Sequence, residues 1–159
     1  MRRFMTLDDV ETVAMIDAQA FIDWWPVREF VTHLFSPNVR ASLVDYDGRP
    51  IGYFVSWTLP EGVCHLARMA VTPAFRGQGI ARMLMDDAIK NAVQESCHTI
   101  LLDAAEGDST IEWYKRLGFR QTGIRRGYYR LAGKDAVIGQ RGIEHSTFFY
   151  QQFFGKGIA

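Results

Sequence analysis

Apolar positions recur at helical spacing in some stretches of the chain and alternate or run together in others. Val10, Val13, Ala14, Ile16 and Ala20 form an apolar stripe, and Thr6 to Phe21 is predicted to be a helix. Thr6 stands at its N-cap, and Asp8 and Asp9 suit its positive end. A second helix is predicted near Pro26, with Phe30, Val31 and Leu34 on one face and Ser36-Pro37-Asn38 as its stop. Val39 to Tyr46 and Ile51 to Leu59 read as strands joined by the hairpin signal Asp47-Gly48. Pro60-Glu61-Gly62 turns the chain into a third strand, Val63 to Val71.

Thr72 to Gly79 reads as a loop, and Ala81 to Val93 as an amphipathic helix with Leu84, Met85, Ala88, Ile89, Ala92 and Val93 inward. Thr99 to Ala104 is almost wholly apolar, the pattern of a central strand. Ser109 opens another helix, with Glu112 at capping-box spacing and Gly118 past its end. Phe119 to Ile124 and Ala136 to Gln140 read as strands around Arg125-Arg126-Gly127-Tyr128-Tyr129. The expected fold is α/β. Its central sheet is mixed, with antiparallel hairpins first and a βαβ unit later.

The stretch from Arg68 to Arg82 carries the clearest chemistry: a strand ends, a loop holds Gly77 and Gly79, and a helix begins. Glycines let backbone approach a ligand, and free N–H groups at a helix start attract phosphate. Arg76 and Arg82 stand ready as countercharge, so the residues suggest a diphosphate site without saying which diphosphate. No Lys-Ser or Lys-Thr pair follows, which excludes a nucleotide-hydrolysing P-loop, and no early Gly-x-Gly-x-x-Gly suggests a Rossmann site.

Composition narrows the partners. The chain has 159 residues, enough for one self-sufficient core, and 18 basic side chains balance 18 acidic ones. That balance argues against nucleic acid as a partner. Cys64-His65 and Cys97-His98 lack zinc-knuckle spacing, so no metal site is expected and the thiols are read as buried and reduced. No stretch reaches the roughly 18 apolar residues of a membrane span, and the N-terminus does not read as a signal peptide. The expected location is the cytoplasm.

Arg76-Gly77-Gln78-Gly79-Ile80-Ala81 resembles the (Gln/Arg)-x-x-Gly-x-(Gly/Ala) pattern of the GNAT acetyltransferases, and Tyr114-Lys115-Arg116-Leu117-Gly118-Phe119 resembles their Tyr-x-x-x-Gly-Phe element. The resemblance spans roughly residues 3 to 141. Ile16-Asp17, Phe21, Trp25, His65-Leu66 and Ile124 to Tyr129 are similar to the RimI-like branch, which acetylates the N-terminal alanine of a ribosomal protein. It implies a GNAT domain over 1–141, with a mixed, mostly antiparallel sheet flanked by helices and a splayed strand pair forming the coenzyme A cleft. The implied activity is direct acetyl transfer from acetyl-CoA to a primary amine, a protein N-terminus or a small amine such as a polyamine, amino acid or drug. A non-catalytic coenzyme-A sensor is a third reading.

The resemblance also implies roles. Met69, Ala70 and Val71 would pair their backbone with the pantetheine arm, and Arg76, Gly77, Gln78, Gly79, Ile80, Ala81 and Arg82 would hold the diphosphate. Tyr114 would protonate the departing sulfur. Asp103 stands where the branch has a glutamate base, with Glu106 as its rival. Asp108 or Ser109 would replace an asparagine that the branch uses on coenzyme A. Arg68 and Trp24-Trp25-Pro26 depart from the branch pattern, which leaves the acceptor open. The tail over 142–159, with five aromatics in Phe148 to Phe154, is expected to pack on the domain or on a second subunit.

Overall fold

A computed structural model of the chain describes residues 1–143, and the aromatic tail lies outside the described residues. The strands are β1 (Arg2–Phe4), β2 (Val39–Tyr46), β3 (Arg49–Leu59), β4 (Val63–Val71), β5 (Thr99–Ala105), β6 (Arg120–Tyr129) and β7 (Lys134–Gly142). The helices are α1 (Val10–Ala20), α2 (Val27–Leu34), α3 (Ile80–Gln94) and α4 (Thr110–Arg116). The strands form one sheet in the order β1-β2-β3-β4-β5-β7-β6. Among the described residues only β4 and β5 pair in parallel, joined through α3 as a βαβ unit.

Each face of the sheet carries its own core. On one side Leu84, Met85, Ala88, Ile89, Ala92 and Val93 of α3 are buried against Phe54, Leu66, Ile100 and Leu102. This is the stripe that periodicity assigns to α3. On the other side Val10, Val13, Ala14 and Ile16 of α1 and Phe30 of α2 pack on Leu43, Tyr53 and Val55. Both cysteines are buried free thiols. Among the described residues no helix is long and apolar enough to cross a membrane.

Four local expectations are corrected. The first helix starts as a 3-10 turn over Leu7–Asp9 and becomes α-helical at Val10; Thr6 is the N-cap of that turn, in a capping box whose Asp9 carboxylate accepts from the Thr6 N–H at 2.8 Å. Ala20 is exposed, and Asp17 takes a buried place in the stripe. The Ser109–Glu112 capping box does not form: the Asp108 carboxylate accepts from the Thr110 N–H and hydroxyl, both at 2.8 Å, and Glu112 pairs with Lys115. Arg125 to Tyr129 are part of β6 rather than a segment between strands. The short edge strand β1 adds to the sheet through Arg2↔Val44, Arg3↔Leu43 and Phe4↔Ser42.

Candidate active site

The parallel β4–β5 pair runs only from Val63↔Thr99 to Leu66↔Leu102. Past that point the two strands keep their outer partners and part from each other. Met69, Ala70 and Val71 stay paired to Phe54, Tyr53 and Gly52 of β3, and Asp103 and Ala104 to Ile138 and Val137 of β7. A β-bulge marks the separation: Val55 faces Arg68 and Ser56 faces Leu66, so Ala67 is the extra residue. The opening is a cleft of about 760 Å³, within the range that holds a cofactor-sized ligand.

At one end of the cleft β4 runs into the glycine loop. Gly77 (φ 73°) and Gly79 (φ 84°) occupy the left-handed region that disfavours other residues. A Cβ built on either meets nothing within 4 Å, so the space above the loop is open. The first backbone bond of α3 runs from the Met83 N–H to the Gly79 carbonyl at 3.1 Å. The N–H groups of Ile80, Ala81 and Arg82 therefore have no acceptor inside the helix. Arg76 lines the cleft while its Nε donates to the Val71 carbonyl at 3.0 Å, and Arg82 lines it while pairing with Asp86 at 3.1 Å. Gln78 alone of the expected loop residues is not in the lining; its amide donates to the Ala74 carbonyl at 3.4 Å.

The middle of the cleft holds Asp103 from β5 and Tyr114 from α4. A Schellman end fixes the helix that carries Tyr114: the Phe119 N–H donates to the Tyr114 carbonyl at 3.1 Å and the Gly118 N–H to Lys115 at 3.0 Å, with Gly118 at φ 89°. Burial, with a smaller contribution from the Asp108 charge, pushes the Tyr114 phenol up to about 12, so it keeps its proton near neutrality. Asp108 also lines the cleft, whereas Glu106 is exposed and outside it.

Asp103 has two partners that its own strand does not reveal. His65 Nε2 lies 2.8 Å from Oδ2, and Arg125 Nε donates to Oδ1 at 3.1 Å. Burial alone would raise the Asp103 carboxyl. The hydrogen bond and charge of His65 and the charge of Arg125 outweigh it and hold Asp103 below the ordinary carboxylate value. An anionic Asp103 can only accept, so the proton between them sits on His65 Nε2.

At the far mouth, Phe21, Ile22 and Asp23 from the α1–α2 connection and Tyr129, Ala132 and Lys134 from the β6–β7 hairpin line the cleft. Behind the first lip lies Asp17, fully buried, which accepts from the Tyr53 hydroxyl and from the Trp25 N–H at 2.5 Å. Among the described residues no group of three or more His, Cys, Asp and Glu side chains is arranged to hold a metal ion.

A parallel pair that opens over a glycine loop and a helix start, with a protonated phenol and a carboxylate in the same cleft, is the architecture of a coenzyme-A-dependent acyltransferase. The chain belongs to the acetyltransferase (GNAT) family, whose sequence profile matches residues 7–119. It has the GNAT fold and is an N-acetyltransferase with acetyl-CoA as co-substrate. It is similar to the N-alpha-acetyltransferase RimI of Mycobacterium tuberculosis, 29% identical over 149 residues, covering 86% of this chain and 89% of that one. A [ribosomal protein bS18]-alanine N-acetyltransferase of Haemophilus influenzae is 23% identical over 121 residues, covering 76% and 82%. The fold matches the ribosomal-protein-S18-alanine N-acetyltransferase of Escherichia coli with a TM-score of 0.82, at 20% identity over 100% of this chain and 98% of that one.

The cleft fits such a donor by its own features: β4 backbone unpaired toward β5, two open positive-φ glycines, and three helix N–H groups without internal acceptors. Sequence reasoning missed the His65–Asp103–Arg125 cluster. The parallel register sets His65 opposite Leu101, which makes Asp103 its diagonal neighbour, and no spacing along one strand encodes that. The buried-strand pattern of Leu101-Leu102 followed by a carboxylate was the available signal.

Proposed function

We propose that this chain acetylates the α-amine of a protein N-terminus, with N-terminal alanine as the leading acceptor. The observation that carries this reading is that Asp103 and Tyr114 line one cleft at the point where β4 and β5 part. The names of the relatives from M. tuberculosis and H. influenzae support the acceptor class. So does a far mouth bounded, among the described residues, by two chain segments.

The donor supplies an acetyl thioester. Backbone of Met69, Ala70 and Val71 holds its arm along the free edge of β4. The N–H groups of the Gly77–Arg82 stretch, Gln78 included through its backbone, receive the diphosphate together with the Arg76 and Arg82 charges. Asp108 borders the same groove. An α-ammonium has a pKa of about 8, so it must lose a proton before it can attack. Asp103, held ionised by His65 and Arg125 and lining the cleft, takes that proton. The C–N bond forms and the C–S bond breaks; Tyr114 passes its proton to the sulfur and is restored by the second proton, which the nitrogen sheds as it becomes an amide. The two buried thiols and the soluble donor fit a cytoplasmic enzyme.

The test is release of free thiol from acetyl-CoA with peptides bearing N-terminal alanine and with a panel of small amines. Peptide turnover that falls about 100-fold in Tyr114→Phe is expected. Turnover with small amines alone moves the acceptor assignment to metabolites. Tight donor binding without any turnover overturns the catalytic roles.

A further inference from the structure

Arg68 is a buried cation whose partners belong to α1 and the α1–α2 connection that borders the cleft. Its side chain is 8% exposed, and its Nε lies 3.4 Å from Asp17 Oδ1. One terminal nitrogen reaches Asp17 Oδ2 at 3.5 Å and donates to the Asp23 carbonyl. The guanidinium stands 4.3 Å from the Phe21 ring centroid and 4.9 Å from that of Trp25. A helix-borne carboxylate, a loop carbonyl and two aromatic faces thus meet on one planar group, an arrangement only a guanidinium can satisfy.

The bulge explains how Arg68 gets there. In a strand without a bulge, the side chain three residues after His65 would point to the opposite face of the sheet. With it, Arg68 and His65 share the α1–α2 face, one under the lip and the other beside Asp103. The lip faces the other wall of the mouth: burial pushes the Tyr128 phenol up, and the charges of Asp103, Arg125, Arg68 and Asp23 all act on it. Arg68 is thus coupled to Asp17 and Tyr53 below and to Asp23 on the lip, and its charge, like those of Asp103 and Arg125, reaches Tyr128.

We propose that Arg68 is a positioning residue that fixes the Phe21–Trp25 lip against β4 and thereby sets the affinity for the acceptor rather than for acetyl-CoA. The donor loop begins beyond Val71 and shares none of these partners, so the two substrates separate in their dependence on Arg68. This deepens the acetyl-transfer reading and rests on it.

The experiment measures KM for each substrate and kcat in Arg68→Lys, using whichever amine the wild-type enzyme turns over best. Lysine keeps the charge on Asp17 and loses the fork and the flat face that hold the lip. The expected result is an acceptor KM raised about tenfold, the worth of one hydrogen bond to a charged group, with the acetyl-CoA KM and kcat within about twofold. Equal changes in both KM values, or an unchanged acceptor KM, overturn the proposal. Phe21→Leu provides a second measurement that leaves the buried ion pair in place: its acceptor KM should rise by a smaller factor, and an unchanged value also counts against the proposal. Failure of the wild type to acetylate any peptide would sink the N-terminal acceptor instead, and Arg68 would still be tested on the small amine.

Discussion

The Asp103 carboxylate receives one hydrogen bond from His65 and one from Arg125, and both favour its charged form. As the proposed proton acceptor it must be ionised when the amine arrives, so its neighbours set the acidic edge of activity. Arg125 lowers the Asp103 pKa. Replacing it with glutamine keeps a hydrogen-bond donor but removes the charge, so the Asp103 value should rise. The acidic limb of kcat/KM against pH is then expected to move upward in Arg125→Gln. Arg125 is 46% exposed, so the movement should shrink as salt is added. A limb that stays in place, or moves down, would remove Asp103 from the role of proton acceptor. That Asp103 and Tyr114 would share one cleft was legible through the resemblance, which matches each to the end of a strand or the course of a helix. His65 and Arg125 were not legible, because their meeting depends on register between separate strands.

Elements were legible where one period or one turn decides them. Strands β2 and β4 fall on the expected residues because Asp47-Gly48 and Pro60-Glu61-Gly62 bound them, and α3 because six apolar positions fall on one face. Strand β1 has three residues and exists only through its pairing with β2, which no local pattern announces. Strand β6 is mostly exposed and irregular in register, so it shows no alternation past Ile124. The glycine loop joins local geometry to the proposed donor site, which makes Gly79→Ala informative. Nothing lies within 4 Å of the added Cβ, so the penalty is the left-handed backbone itself, about 1–2 kcal/mol. The variant is expected to melt at a lower temperature and, as the loop relaxes, to bind acetyl-CoA several-fold more weakly. Calorimetric titration with acetyl-CoA checks this. A lower melting temperature with unchanged donor affinity would detach the loop from the diphosphate.

At the scale of the whole molecule, the class of sheet and the division into hairpins and a βαβ unit followed from the order of elements. How the N-terminal segment is tied down did not, because it rests on one long-range cluster. Arg3 of β1 donates to both oxygens of Asp9 at 2.7 Å and to Asp45 Oδ2 of β2 at 2.6 Å, joining the edge strand, the turn into α1 and the second strand. The Arg3 hydrogen bond is the largest influence on Asp9. With the Thr6 bonds it outweighs burial and brings the carboxyl from 3.8 to about 2. A carboxyl depressed on folding stabilises the fold above its unfolded pKa and loses that contribution as pH falls through the folded value. Here the window runs from about pH 4 down to about pH 2. The shift corresponds to about 1–2 kcal/mol after allowance for Arg3, whose side chain is 32% exposed. Asp9→Asn should therefore be less stable than the wild type by about that amount at pH 7, and the gap should close across the same window because the wild-type carboxyl becomes neutral there. Urea denaturation of both proteins at several pH values measures the gap directly. A gap independent of pH would mean that Asp9 contributes through packing and not through its charge, and the ionic hold on the N-terminal strand would then rest on Asp45 and on the Arg2–Asp87 pair beside the β1–β2 ladder.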